Sequence, residues 1–158
     1  MKDNSLRELF RISIAAEREA RSLYEVLSER FSAITAAREF FISLATEEAN
    51  HILGIASLME SLTPEELDRP APERAIAVAE SFLNYSARDM NKKIRTLGDA
   101  YRQTVNLEFS EVNKLHELLF EISHKDSDAT KELHSVLKSH LDKVSAFKDA
   151  GVDMGFTP

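Results

Sequence analysis

The chain has 158 residues, 43% of them apolar, with four glycines, four prolines, a formal net charge of -7 and no cysteine. That length favours one domain over residues 1–158, large enough for a proper core. Without cysteine, disulfides, iron–sulfur clusters, zinc ribbons and tetrathiolate iron are excluded. The acidic balance, with no basic patch or arm, argues against nucleic acid. No apolar run approaches membrane-spanning length, and Met1-Lys2-Asp3-Asn4-Ser5 is polar rather than signal-like. The expectation is a cytoplasmic protein with no membrane partner. Long stretches rich in Ala, Leu, Glu, Lys and Arg, with so little Gly and Pro, predict an all-α fold.

Asn4 or Ser5 is placed to cap the first helix, and Glu8, three residues after Ser5, completes a capping-box pattern. The inward stripe then runs Leu6, Phe10, Ser13, Glu17, Ala20, Tyr24, Leu27, Phe31. Its middle position is a carboxylate, Glu17. Arg18, Glu19, Arg21, Glu25 and Glu29 form the opposite, solvated face. A short break at 32–35 implies that the second helix returns antiparallel.

The second helix carries the stripe Ala37, Phe41, Leu44, Glu48, His51, Ile55, Leu58, Leu62. Glu48 and His51 lie one turn apart on one face, where a bundle helix ordinarily places Leu. An unpaired carboxylate in such a place costs several kcal/mol in desolvation, on the order of the per-ion penalty in proteins. A bound cation offsets that cost. A hydrogen-bonded pair without metal is the alternative.

The helix ends near Ser61-Leu62. Thr63-Pro64-Glu65-Glu66 reads as a cap and first turn, and Arg69-Pro70-Ala71-Pro72 as a break. Residues 73–97 form a long connection with one short helix, Glu73 to Leu83, and a further helical piece before Gly98. That length suits a crossover along the bundle. Asp99 is placed to cap the third long helix, with stripe Tyr101, Thr104, Glu108, Glu111, Leu115, Leu118, Ile122. His124-Lys125-Asp126-Ser127-Asp128 is a polar turn. The fourth helix runs from about Ala129 to about Lys148, with stripe Leu133, Leu137, His140, Val144, Phe147, and Gly151 ends it. His116, His124 and His134 fall off or at the edge of the stripes. Glu47, Glu65, Glu66, Asp126 and Asp128 read as solvated charges or helix-start residues.

Four amphipathic helices thus place Glu17, Glu48, His51, Glu108, Glu111 and His140 near the middle of their inward stripes. In an antiparallel bundle these positions converge at one level. Carboxylate and imidazole donors there suit iron, manganese or zinc.

The pattern resembles the rubrerythrin-like branch of the ferritin-like superfamily. Glu17-Arg18-Glu19-Ala20-Arg21-Ser22-Leu23-Tyr24 is similar to that branch's first-helix pattern, a Glu followed by an aromatic two turns on. Glu48-Ala49-Asn50-His51 matches its second-helix motif, and Glu108-Phe109-Ser110-Glu111 its third-helix Glu-x-x-Glu. The resemblance implies a ferritin-like four-helix bundle with a long crossover between helices 2 and 3. It also implies two iron ions held by the six residues above, peroxide or dioxygen as reactant, a homodimer, and Tyr24 as packing or as a hydrogen-bond donor near the metals. The fourth helix departs from the pattern. Where the family has Glu-x-x-His, this chain has Leu137-Lys138-Ser139-His140. Glu132, the nearest acid on that helix, is off the stripe. The family's rubredoxin electron relay is also missing, so any peroxidase activity needs another donor. Three outcomes stay open: a di-metal site with fewer bridges, a single metal, or a site relieved of function. A catalytic oxidoreductase, a metal-binding, storage or sensing bundle, and an interaction scaffold are the corresponding functions.

Overall fold

In the computed structural model, residues 3–84, 86–110, 117–119, 121–122 and 128–150 are described. They form α1 (Leu6–Arg30), α2 (Thr35–Glu60), α3 (Pro64–Leu67), α4 (Glu73–Leu83), α5 (Ala87–Lys93), α6 (Leu97–Ser110) and α7 (Asp128–Ala150). Residues 117–119 and 121–122 are also helical. No named strand occurs among the described residues. The architecture is all-α, as the composition predicts, and ferritin-like, as the resemblance implies, with α4 and α5 as the crossover.

α1 and α2 form an antiparallel hairpin closed by residues 31–34. Burial follows the expected stripe on both: Glu17, Ala20, Tyr24 and Leu27 on α1, Phe41, Leu44, Glu48, His51 and Ile55 on α2. α7 packs on α2 and α6, while α3, α4 and α5 pack on α1. At the base of the hairpin, Ser5 and Pro70 form an antiparallel bridge. The Leu6 N–H donates to Arg69 O at 2.9 Å and the Ala71 N–H to Asn4 O at 2.7 Å. Arg7 adds an ion pair to Asp68 at 2.9 Å.

Three local expectations need correction. The Ser5–Glu8 capping box is half made. Ser5 Oγ accepts the Glu8 N–H at 3.2 Å, but the Glu8 carboxylate is taken by Arg11, and the Ser5 N–H goes to Asp3 Oδ1 at 2.9 Å. At α6 the cap is Thr96, not Asp99. Thr96 Oγ1 accepts the Asp99 N–H at 3.1 Å, and Asp99 reaches back to the N–H groups of Arg95 and Thr96, both at 2.9 Å. The two residues together are a reciprocal box, which holds the Asp99 carboxyl down at about 2 through those backbone bonds and Arg102. Glu19, read as a surface charge, accepts the Ala87 N–H at 2.7 Å and so ties the start of α5 to α1. The full box expected at Ser5 is found at α3, between Thr63 and Glu66.

The core divides in two. One apolar cluster gathers Leu9, Phe10, Ile55, Leu58, Ala75, Ala79, Phe82, Leu119, Leu133 and Leu137. The other gathers Leu23, Tyr24, Leu27, Phe40, Phe41, Leu44, Met90, Ile94 and Ala100. On α1 and α2 the residues between the two clusters include Ser13, Glu17, Glu48 and His51, all buried. Gly54 sets the approach of α7 to α2: a Cβ there would stand 2.7 Å from Leu133 Cδ1. The short 3.6-residue repeat thus brings polar side chains from separate helices into one layer between two oily halves.

Candidate metal centre

That layer holds five of the six expected residues. Glu17, Glu48, His51, Glu108 and His140 are each no more than 3% exposed. Glu111 lies outside the described residues. His134, expected at the surface, is exposed; His116 and His124 are also outside the described set.

The side chains form two donor groups that share Glu48. In one, Glu17, Glu48 and His51 offer ligand atoms within 4.8 Å of one another; in the other, Glu48, Glu108 and His140 do the same. His51 Nδ1 stands 2.9 Å from Glu48 Oε2 and 3.6 Å from Glu17 Oε2. His140 Nε2 stands 2.5 Å from Glu108 Oε2 and 3.7 Å from Glu48 Oε1. The two imidazoles meet edge to face, with ring centroids 4.7 Å apart. Tyr24 does both things expected of it: its ring stacks on Phe41 at 6.5 Å, and its hydroxyl donates to Glu108 Oε1.

Crowding of buried carboxylates and imidazoles sets the electrostatics of the layer. Burial, then the nearby Glu17 and Glu108 carboxylates, pushes the Glu48 carboxyl well above its ordinary range. Burial alone would pull both imidazoles down. Glu17 reverses this at His51, and Glu108 with Glu47 pushes His140 up to about 10. Burial and the Glu108 and Glu48 charges raise the Tyr24 phenol well above 10.0. Acids that hold protons, and bases that keep theirs, are the response of a buried carboxylate–imidazole cluster to crowding. A divalent cation supplies the same neutralisation by displacing those protons. Oxygen and imidazole nitrogen in this ratio suit iron, manganese or zinc, so the residues fit the group the resemblance implies.

Leu137 is buried in the apolar cluster beside Leu133, one turn from His140. α7 therefore brings His140 to the layer without the carboxylate that the family pattern has there. The remaining surprise is Glu47. Its carboxylate meets His140 Nδ1 at 2.5 Å and pairs with Lys143. Burial works against its charge, but the His140 and Lys143 contacts outweigh it and lower the Glu47 pKa.

An all-helical bundle with a buried layer of carboxylates and imidazoles is compatible with a di-metal site. The rubrerythrin family model matches residues 8–125, and the chain belongs to that family. The matched span includes Glu17, Glu48, His51, Glu108 and Glu111, and ends before α7. No curated protein and no solved structure matches the chain. No helix among the described residues is long and apolar enough to cross a membrane.

Proposed function

We propose that this protein is a di-metal carboxylate oxidoreductase, with iron as the native metal, that reduces peroxide or oxidises ferrous iron inside the bundle. The observation that carries the reading is the pair of buried donor groups sharing Glu48. Glu17, Glu48 and His51 would hold one ion; Glu108 and His140, joined by Glu111, would hold the other, with Glu48 between them. Bound iron would supply electrons to an oxidant. The chain's own residues fix the donors, keep bulk water out with the two apolar clusters, and set the Glu108 carboxylate through the Tyr24 hydroxyl. A cytoplasmic homodimer belongs to the same reading, by analogy with the family.

Leu137 favours a second reading, a metal-binding, storage or sensing bundle with a partial site. It predicts one ion or none per chain, zinc included, and little turnover. Two measurements separate the readings. Elemental analysis of the purified protein gives two redox metals per chain on the first reading. Anaerobic ferrous titration followed by peroxide then gives an iron-dependent optical change that Glu48→Ala abolishes. A change absent in wild type sinks the catalytic reading.

A further inference from the structure

The proposed metal site leaves one half-buried polar path unused. It starts at the surface with Lys143, whose side chain is 38% exposed. The Lys143 ammonium donates to Ser43 Oγ and to Glu47 Oε1. Glu47 Oε2 then meets His140 Nδ1 at 2.5 Å, and the other face of that ring, Nε2, points at Glu108 and Glu48. Ser43 and Glu47 lie one turn apart on α2; His140 and Lys143 lie one turn apart on α7. Two neighbouring helices therefore present complementary pairs to each other.

We propose that Glu47 is a positioning residue of the metal centre: held by Lys143, it takes the Nδ1 hydrogen of His140 and so presents Nε2 to the donor group of Glu48 and Glu108. The inference rests on the metal reading given above. An imidazole that ligates through one nitrogen needs the other nitrogen fixed, because that bond sets the tautomer and the ring angle. In the family pattern a carboxylate stands one turn before this histidine on the same helix. Here that position is Leu137, in the apolar cluster, and contributes no polar contact. The anchoring of His140 falls to α2. Glu47 and Glu48 are adjacent in sequence, so they point about 100° apart around α2. One faces the donor layer and the other faces α7, and a single turn of helix supplies both a donor and the support of a donor on another helix.

The test titrates the full chain with Co2+ alone against a competing chelator, reading the visible d–d bands. The proteins are wild type, Glu47→Ala, Glu47→Gln, His140→Ala and the Glu47→Ala/His140→Ala pair, each checked for helix content. Glu47→Ala should weaken Co2+ binding about 10- to 100-fold, the usual effect of losing the partner of a ligating histidine. Glu47→Gln, which keeps an acceptor, should fall between that variant and wild type, and serves alone if the alanine variant fails to fold. In the His140→Ala background the same Glu47→Ala change should alter affinity less than about twofold, the spread of independent sites. A second readout needs no metal: a far-downfield Nδ1 proton of His140 should be present in the metal-free wild type and absent in Glu47→Ala. Equal losses in both backgrounds, or Co2+ bound by Glu47→Ala as by wild type, would overturn the proposal alone. Wild type that binds no Co2+ overturns the metal reading and this inference with it.

Discussion

Glu48 belongs to both donor groups, so it concentrates the conflict that metal-free protein must tolerate. Its carboxyl is pushed up by burial and by Glu17 and Glu108, which means an amide of the same shape removes repulsion more than it removes bonding. Metal-free Glu48→Gln should melt within about 4 °C of wild type, the shift that roughly 1 kcal/mol gives in a chain of this size, while its bound metal falls sharply. A large drop in melting temperature would show that Glu48 holds the fold through its hydrogen bonds instead. His140 gives a pH dependence whose sign is fixed by its raised value. Its folded pKa of about 10 exceeds the ordinary histidine value of 6.5, so its stabilisation of metal-free protein is complete below 6.5 and is lost as pH climbs toward 10. Metal binding needs the ring neutral, so affinity runs the other way and rises with pH. Thermal melts in chelator and Zn2+ titrations across that window should slope in opposite directions, and His140→Ala should flatten both. The stripe residues Glu17, Glu48, His51, Glu108 and His140 were legible in the sequence because each interrupts an apolar repeat. Glu47 was not. It sits off the stripe, and its partner is 93 residues away, on a helix whose place beside α2 no periodicity reveals.

Between helices, the contact of α2 with α7 turns on Gly54. A Cβ at that position meets only the tip of Leu133 closely, with the next atoms at 3.7 Å. Gly54→Leu should cost about 1–3 kcal/mol by overpacking. Gly54→Ala sets a helix gain of about 1 kcal/mol against a forced shift of Leu133, which is fully buried. In a Leu133→Ala background that conflict disappears, so Gly54→Ala should there stabilise by about the full helix gain. Denaturant melts of the four proteins measure this, and an equal effect in both backgrounds would sink the idea that this pair sets the spacing. Some element boundaries are legible in the sequence: α4 spans the expected Glu73–Leu83, and α2 begins at Thr35, the last residue of the expected break. α6 starts about three residues before the start that an Asp99 cap implies, since Thr96 and Asp99 each fit a cap and only their mutual hydrogen bonds assign which is which. Thr96→Ala should therefore cost about 1 kcal/mol, the usual loss for such a residue.

Across the whole molecule, a polar layer separates two apolar clusters, so cohesion at mid-height depends on what neutralises the layer. Binding at 100 times Kd adds about 2.7 kcal/mol to the folded state, which corresponds to roughly 5–11 °C in a chain of this size. Chelation should lower the melting temperature by that order, and Zn2+ or Mn2+ should restore it. A melt indifferent to chelator and metal would show that the cluster is satisfied by its own protons. The class of fold was legible because sequence periodicity and long connections are properties of the chain alone; the seating of α7 against α2 through Glu47 and Lys143 was not, since it depends on how separate helices meet. The bridge of Ser5 with Pro70 has its own consequence. It closes the chain on itself at residue 70, and Glu17, Glu48 and His51 all lie inside that closed loop. The α1–α2 pair and its three buried polar side chains are thereby fastened by backbone bonds local to the first 71 residues, whereas Glu108 and His140 join the layer from outside that loop.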